Sequence, residues 1–152
     1  MLKQQVSINE PIMLAEETTL AVSLFGAMSP QQLRSMLDLM TLRKCRSGEH
    51  LFCAGDLPSN IFVLVQGRVD LIVEQGGIHC IHRSFKVGDT IGETAVIGIQ
   101  KQIGTAIASS DDVELLELSH QALMDIHSQD KELFCLLMMN IARDVSRKLH
   151  AL

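Results

Sequence analysis

Leu33, Met36, Leu37 and Met40 fall at i, i+3, i+4 and i+7 in SPQQLRSMLDLM, the stripe of an amphipathic helix. Ser29 can cap this helix, Pro30 suits its first position and Gln32 completes a capping box. Ahead of it, residues 12–25 carry a weaker helical pattern, interrupted by the β-branched pair Thr18 and Thr19, and residues 1–11 read as a loose lead-in. Between residues 41 and 118 the period changes. NIFVLVQG is an apolar strand ending at Gly67, and RVDLIVE alternates Val69, Leu71 and Val73 with Arg68, Asp70 and Glu74. QGGI then turns the chain into HCIHRSF, a hairpin signature. Several short strands at this spacing predict an all-β barrel, roll or sandwich rather than a βαβ fold. After Leu118 the pattern is helical again. Ser119 can cap HQALMDIHSQ, and Asp130 can cap KELFCLLMMNIARDVSRKLHAL. The last helix is apolar almost all round at first and then narrows to Ile141, Val145, Leu149 and Leu152, a stripe of seam width. The pattern predicts one domain over residues 1–152: lead-in 1–11, helical segment 12–40, β-core 41–118 and C-terminal helices 119–152.

Composition removes several functions. With 47% hydrophobic and 20% charged residues, a chain of 152 residues can build one packed core. Five Phe with no Trp or Tyr make a poor base-stacking surface. A net charge of −5 without any basic run argues against nucleic acid as a partner. The N-terminus lacks the apolar region of a signal peptide, and the longest apolar run, LFCLLMM, has seven residues, so a cytoplasmic location and no membrane partner are expected. Cys45, Cys53, Cys80 and Cys135 form no C-x-x-C pair, do not offer the spacing of an iron–sulfur cluster, and read as buried thiols. His79 and His82 in HCIH would point to opposite faces of a strand, which disfavours a metal site. No Ser-His-Asp, paired-carboxylate or P-loop pattern is visible, so neither an enzyme nor a bound cofactor is expected.

The segment GDTIGETAVIGIQKQIGTAIAS, residues 88–109, is too rich in glycine for an ordinary helix and too apolar for a solvated loop. Glycine turns of this kind let backbone N–H groups approach a phosphate. Together with GEHLFCAGDLPSNIFVLVQGRVDLIV, and glycines at 48, 55, 67, 88 and 92, the segment resembles the cyclic-nucleotide-binding domain family, over nearly the whole chain. The resemblance implies a mainly β fold with flanking helices, a double-stranded β-helix or jelly-roll β-roll. It also implies a ligand, cAMP or cGMP, held between a phosphate-binding cassette and the last helix, which moves as a lid and signals to an output protein.

In the family the cassette resembles G-E-L-A-L-[x]n-R-A-A-T, its Glu accepting from the ribose 2′-hydroxyl and its Arg pairing with the phosphate. Gly92, Glu93, Ala95 and Thr105 match, with Thr94 inside the same turn. Gln102 holds the position of the Arg, between Lys101 and Ile103. A charge-assisted contact contributes roughly 1.5–3 kcal/mol, so its loss predicts weak binding. Asn140 or Arg143 on the last helix is expected to close over the base. Glu93 can alternatively be a turn carboxylate bonded to local amides, and the Ile141–Leu149 stripe can pack on its own core or form a homodimer, which the resemblance favours. Since the chain ends at Leu152, soon after that helix, action in trans on an output protein of unknown identity is expected. Two readings stand: a sensor that binds a cyclic nucleotide or related anion weakly, and a degenerate scaffold that no longer binds one.

Overall fold

Burial on both faces explains the unbroken apolar run NIFVLVQG. In the structure, a computed structural model that describes residues 11–151, this run forms β3 (Asn60–Gln66). It lies between β8 (Val113–Ser119) and β6 (Thr90–Ile91), with β1 (Thr41–Cys45) on the far side of β8. Phe62 and Leu64 point into the roll, while Ile61, Val63 and Val65 point out to the helices. A second antiparallel sheet runs β2 (His50–Phe52), β7 (Thr105–Ala108), β4 (Val69–Gln75) and β5 (Ile78–Phe85). Its Leu51, Val69, Phe85 and Ala106 meet Phe62, Leu64, Ile91 and Leu115 in the core between the sheets. Each fully buried Leu there contributes roughly 1.5–3 kcal/mol. The architecture is mainly β with flanking helices, a jelly-roll β-roll of eight strands.

The outer face of β3 and β8 is covered by α2 (Pro30–Asp38), α4 (His120–Gln129) and α5 (Lys131–His150), through Met36, Leu37, Leu123, Ile126, Leu133, Leu137 and Ile141. The caps are those the sequence predicts. Gln32 N donates to Ser29 Oγ (3.1 Å) and Ser29 N to Gln32 Oε1 (2.9 Å), closing the capping box. Ser119 Oγ accepts from Ala122 N (3.0 Å), and Asp130 Oδ1 from Leu133 N (3.0 Å). The weak pattern over residues 12–25 resolves into a six-residue helix, α1 (Glu16–Ala21), and one 3-10 turn (Ser23–Phe25).

Three expectations change. The first concerns β4, whose strict alternation fails because Asp70 is buried, held by Arg68 Nε (3.2 Å) and Ser84 Oγ (2.7 Å). The hairpin turn is as read, with Gly76 (φ +60°) and Gly77 (φ +80°) between the paired Gln75 and Ile78. Its register then slips: Ile72 pairs with Ile81 but Leu71 pairs with Arg83, so His82 is an extra residue in β5. The second concerns the thiols, of which only Cys45 is buried, while Cys53, Cys80 and Cys135 are exposed. The third concerns the stripe on α5. Ile141 is buried and Val145 packs on the same core, so these two take the internal packing, while Leu149 is exposed; Leu152 lies outside the described residues, as does the lead-in up to residue 10. No helix among the described residues is long and apolar enough to cross a membrane.

Candidate functional site

Gly92 turns the chain from β6 into α3 (Glu93–Gly98) with φ +86° and ψ −1°, a left-handed conformation that costs glycine little. Ile99, also left-handed at φ +51°, ends that short helix. The return segment is pinned from the side: Gln102 N donates to Asp56 O (2.9 Å), and Gly55 N donates to Gln102 O (2.8 Å). This clamp leaves Gln102 only 9% exposed although it lies in an irregular segment.

The turn forms one wall of a cavity of about 330 Å³, near the small end of the roughly 300–1,000 Å³ typical of small-molecule sites. Leu71 on β4 with His82, Arg83 and Phe85 on β5 form a second wall, and Val145, Lys148 and Leu149 of α5 complete the lining. The interior carries one decisive contact. Lys148 Nζ donates to the carbonyl oxygen of Thr90 (2.8 Å) and forms an ion pair with Glu93 Oε1. It also sits 5.6 Å from the centroid of the Phe85 ring. The Glu93 side chain is 1% exposed, and its other oxygen, Oε2, has no hydrogen-bond partner among the described residues. A second, smaller cavity of about 210 Å³ lies beyond Phe52 and Gln102. Its one arginine, Arg43, is already bonded to Glu117 Oε1 (3.1 Å) and to His50 O (3.0 Å).

Residues 42–130 match the family model of the cyclic nucleotide-binding domain. The chain belongs to that family. A cyclic nucleotide-binding domain from Methylobacillus flagellatus KT superposes with a TM-score of 0.82 at 18% identity, covering 99% of this chain and 84% of that one. The catabolite activator protein of Thermus thermophilus gives 0.74 at 24% identity, over 85% of this chain and 59% of its own. Among curated proteins, the potassium channel KAT3 of Oryza sativa subsp. japonica is 25% identical over 109 residues. That match takes in 72% of this chain but only 22% of the channel.

Within this cyclic nucleotide-binding domain, Gly92, Glu93, Thr94, Gln102 and Ile103 of the cassette line the larger cavity. Ala95 is buried beneath it, its carbonyl accepting from Gln100 N (3.0 Å). Thr105 Oγ1 accepts from Ala54 N (3.0 Å) and fastens β7 to the β2–β3 connection. Lys101 is exposed and is not among the cavity-lining residues. Asn140 and Arg143 sit elsewhere. Asn140 is 3% exposed and Nδ2 donates to Leu24 O and Gly26 O (2.9 Å each), so it staples α5 to the 3-10 turn; Arg143 bonds Asn140 Oδ1 (3.4 Å). Neither lines the cavity. The α5 residues that do, Val145, Lys148 and Leu149, sit at i, i+3 and i+4, so the apolar stripe itself marked the face on which Lys148 lies. Arg83 and His82 had no such signal, because adjacent strand residues normally point to opposite faces. The bulge at His82 removes that rule locally, and both reach the cavity.

Proposed function

We propose that this domain is a cytoplasmic ligand sensor that takes cAMP, cGMP or a related small anion in the larger cavity, weakly, and passes occupancy through α5 to an output partner. The observation that carries the reading is the buried Glu93. One of its oxygens is held by Lys148 from α5, and the other has no partner among the described residues. A buried, unsatisfied carboxylate oxygen is costly, and a ligand hydroxyl is a donor that would satisfy it. Because Lys148 belongs to α5, any ligand group that competes for Glu93 also acts on the helix that lines the cavity. Weak affinity follows from the neutral Gln102 and from the need to displace or share Lys148.

A second reading, a scaffold that has lost nucleotide binding, is favoured by Ile99 and Ile103, which are 87% and 70% exposed beside the cassette. Calorimetric titration with cAMP and cGMP separates the two. The sensor reading expects measurable heat at millimolar ligand, weaker binding at higher salt, loss of binding in Glu93→Ala, and a gain of about tenfold or more in Gln102→Arg. Absence of heat in both the wild type and Gln102→Arg leaves the scaffold reading.

A further inference from the structure

We propose that Arg83 on β5 is the residue that meets the ligand's negative charge, supplying from the β4–β5 wall the cation that position 102 lacks. The inference rests on reading the cavity as an anion site. Three charged side chains line that cavity: Glu93, Lys148 and Arg83. Glu93 and Lys148 neutralise each other, and Lys148 is further committed to the Thr90 carbonyl. Arg83 is left over. It is half-buried and has neither an ion-pair nor a hydrogen-bond partner among the described residues. A partly desolvated guanidinium without a counter-charge favours an anion beside it, the more so against an apolar wall where the field is poorly screened. Leu71, its cross-strand partner, and Phe85, two residues on, make that wall.

The bulge is the device that installs it. Without the extra residue His82, the pairing of Ile72 with Ile81 would continue to Leu71 with His82, and Arg83 would turn away from the cavity. The bulge advances Arg83 to the place opposite Leu71, on the cavity face. The cavity therefore carries a surplus positive charge on a chain of net charge −5. Its occupant is a small phosphate- or carboxylate-bearing molecule, with its charge toward β5 and a hydroxyl toward Glu93.

The test uses the intact protein with two probes, cAMP by calorimetry and inorganic phosphate by thermal unfolding, at constant ionic strength. The variants are Arg83→Met, Arg83→Lys and, as a charge control, Arg46→Met, an exposed residue that does not line the cavity. Arg83→Met is expected to weaken cAMP binding by about tenfold to a hundredfold and to abolish the phosphate-dependent rise in Tm, with Arg83→Lys between it and the wild type. Arg46→Met should match the wild type. Phosphate stabilisation that needs Arg83, without any cAMP heat, supports the Arg83 assignment and sinks the cyclic nucleotide reading. cAMP binding equal in wild type and Arg83→Met overturns the assignment and leaves that reading intact. A wild type that responds to neither probe overturns both.

Discussion

Replacing Lys148 with Met removes a charge while keeping most of the apolar stem in place over Phe85. The cost can be worked from the burial of the pair. Exposed ion pairs contribute at most about 1 kcal/mol, whereas removing one partner of a fully buried pair costs roughly 3–5 kcal/mol. Here the Glu93 side chain is 1% exposed and that of Lys148 is 22% exposed, so the pair lies between these limits and nearer the second. The Thr90 carbonyl loses its lysine donor as well, about 0.5–1.5 kcal/mol. The expected loss is about 3–4 kcal/mol, which a domain with roughly 5–15 kcal/mol of stability survives. Urea unfolding followed by circular dichroism measures it, with Glu93→Gln and the double variant completing a cycle. Replacing Glu93 removes the uncompensated charge, so the double variant should be more stable than the two single losses predict, by at least about 1 kcal/mol. Single effects that add to within about 0.5 kcal/mol would refute the ion pair as an energetic link between cassette and α5.

Asn140→Ala should lower stability by about 1–3 kcal/mol, by leaving the carbonyls of Leu24 and Gly26 without their donor, yet leave ligand affinity unchanged; a drop in affinity at unchanged stability would return Asn140 to the site. Gly88→Ala should be severely destabilising in thermal unfolding, because φ is +99° and the new Cβ would lie 2.0 Å from Ala21 O. Gly48→Ala, at φ +89° with nothing within 4 Å, should cost only about 1–2 kcal/mol; equal losses would show that backbone strain alone decides both. Burial holds the Cys45 thiol above its ordinary value of 9.0, so Cys53, Cys80 and Cys135 should react with a disulfide reagent in the native protein and Cys45 only on unfolding. The proton is bound more tightly in the folded state, so the stability associated with Cys45 is complete below pH 9.0 and falls as pH rises above it; Cys45→Ser should flatten that alkaline loss in unfolding measured against pH.

Much of the fold was legible because its signals are local. Ser29, Gln32, Ser119 and Asp130 bond to amides within three residues, and Gly76-Gly77 supplies a turn that needs two positive φ angles, so each can be read from a few neighbouring letters. The glycine turn at Gly92 and the carboxylate after it were legible for the same reason, since they lie side by side in the chain, and the family resemblance named them as a cassette. What lies across the cavity was not. Lys148 meets Glu93 across 55 residues, and no period relates the two. Asn140 was assigned to the ligand because it lies on the right helix, but its direction depends on the 3-10 turn that α5 packs against. Arg83 escaped because the alternation rule assumes an unbroken register, and one unpaired residue reverses the face of everything beyond it. The sequence by itself determined most of the elements, their caps and turns and an all-β core, since these follow from backbone preferences and short-range burial patterns, while the β-roll and the cassette were implied by the family resemblance. Only the tertiary structure decided which charges share the cavity, because that depends on the bulge in β5 and on how α5 approaches the cassette, and both are set by packing between segments distant in the chain.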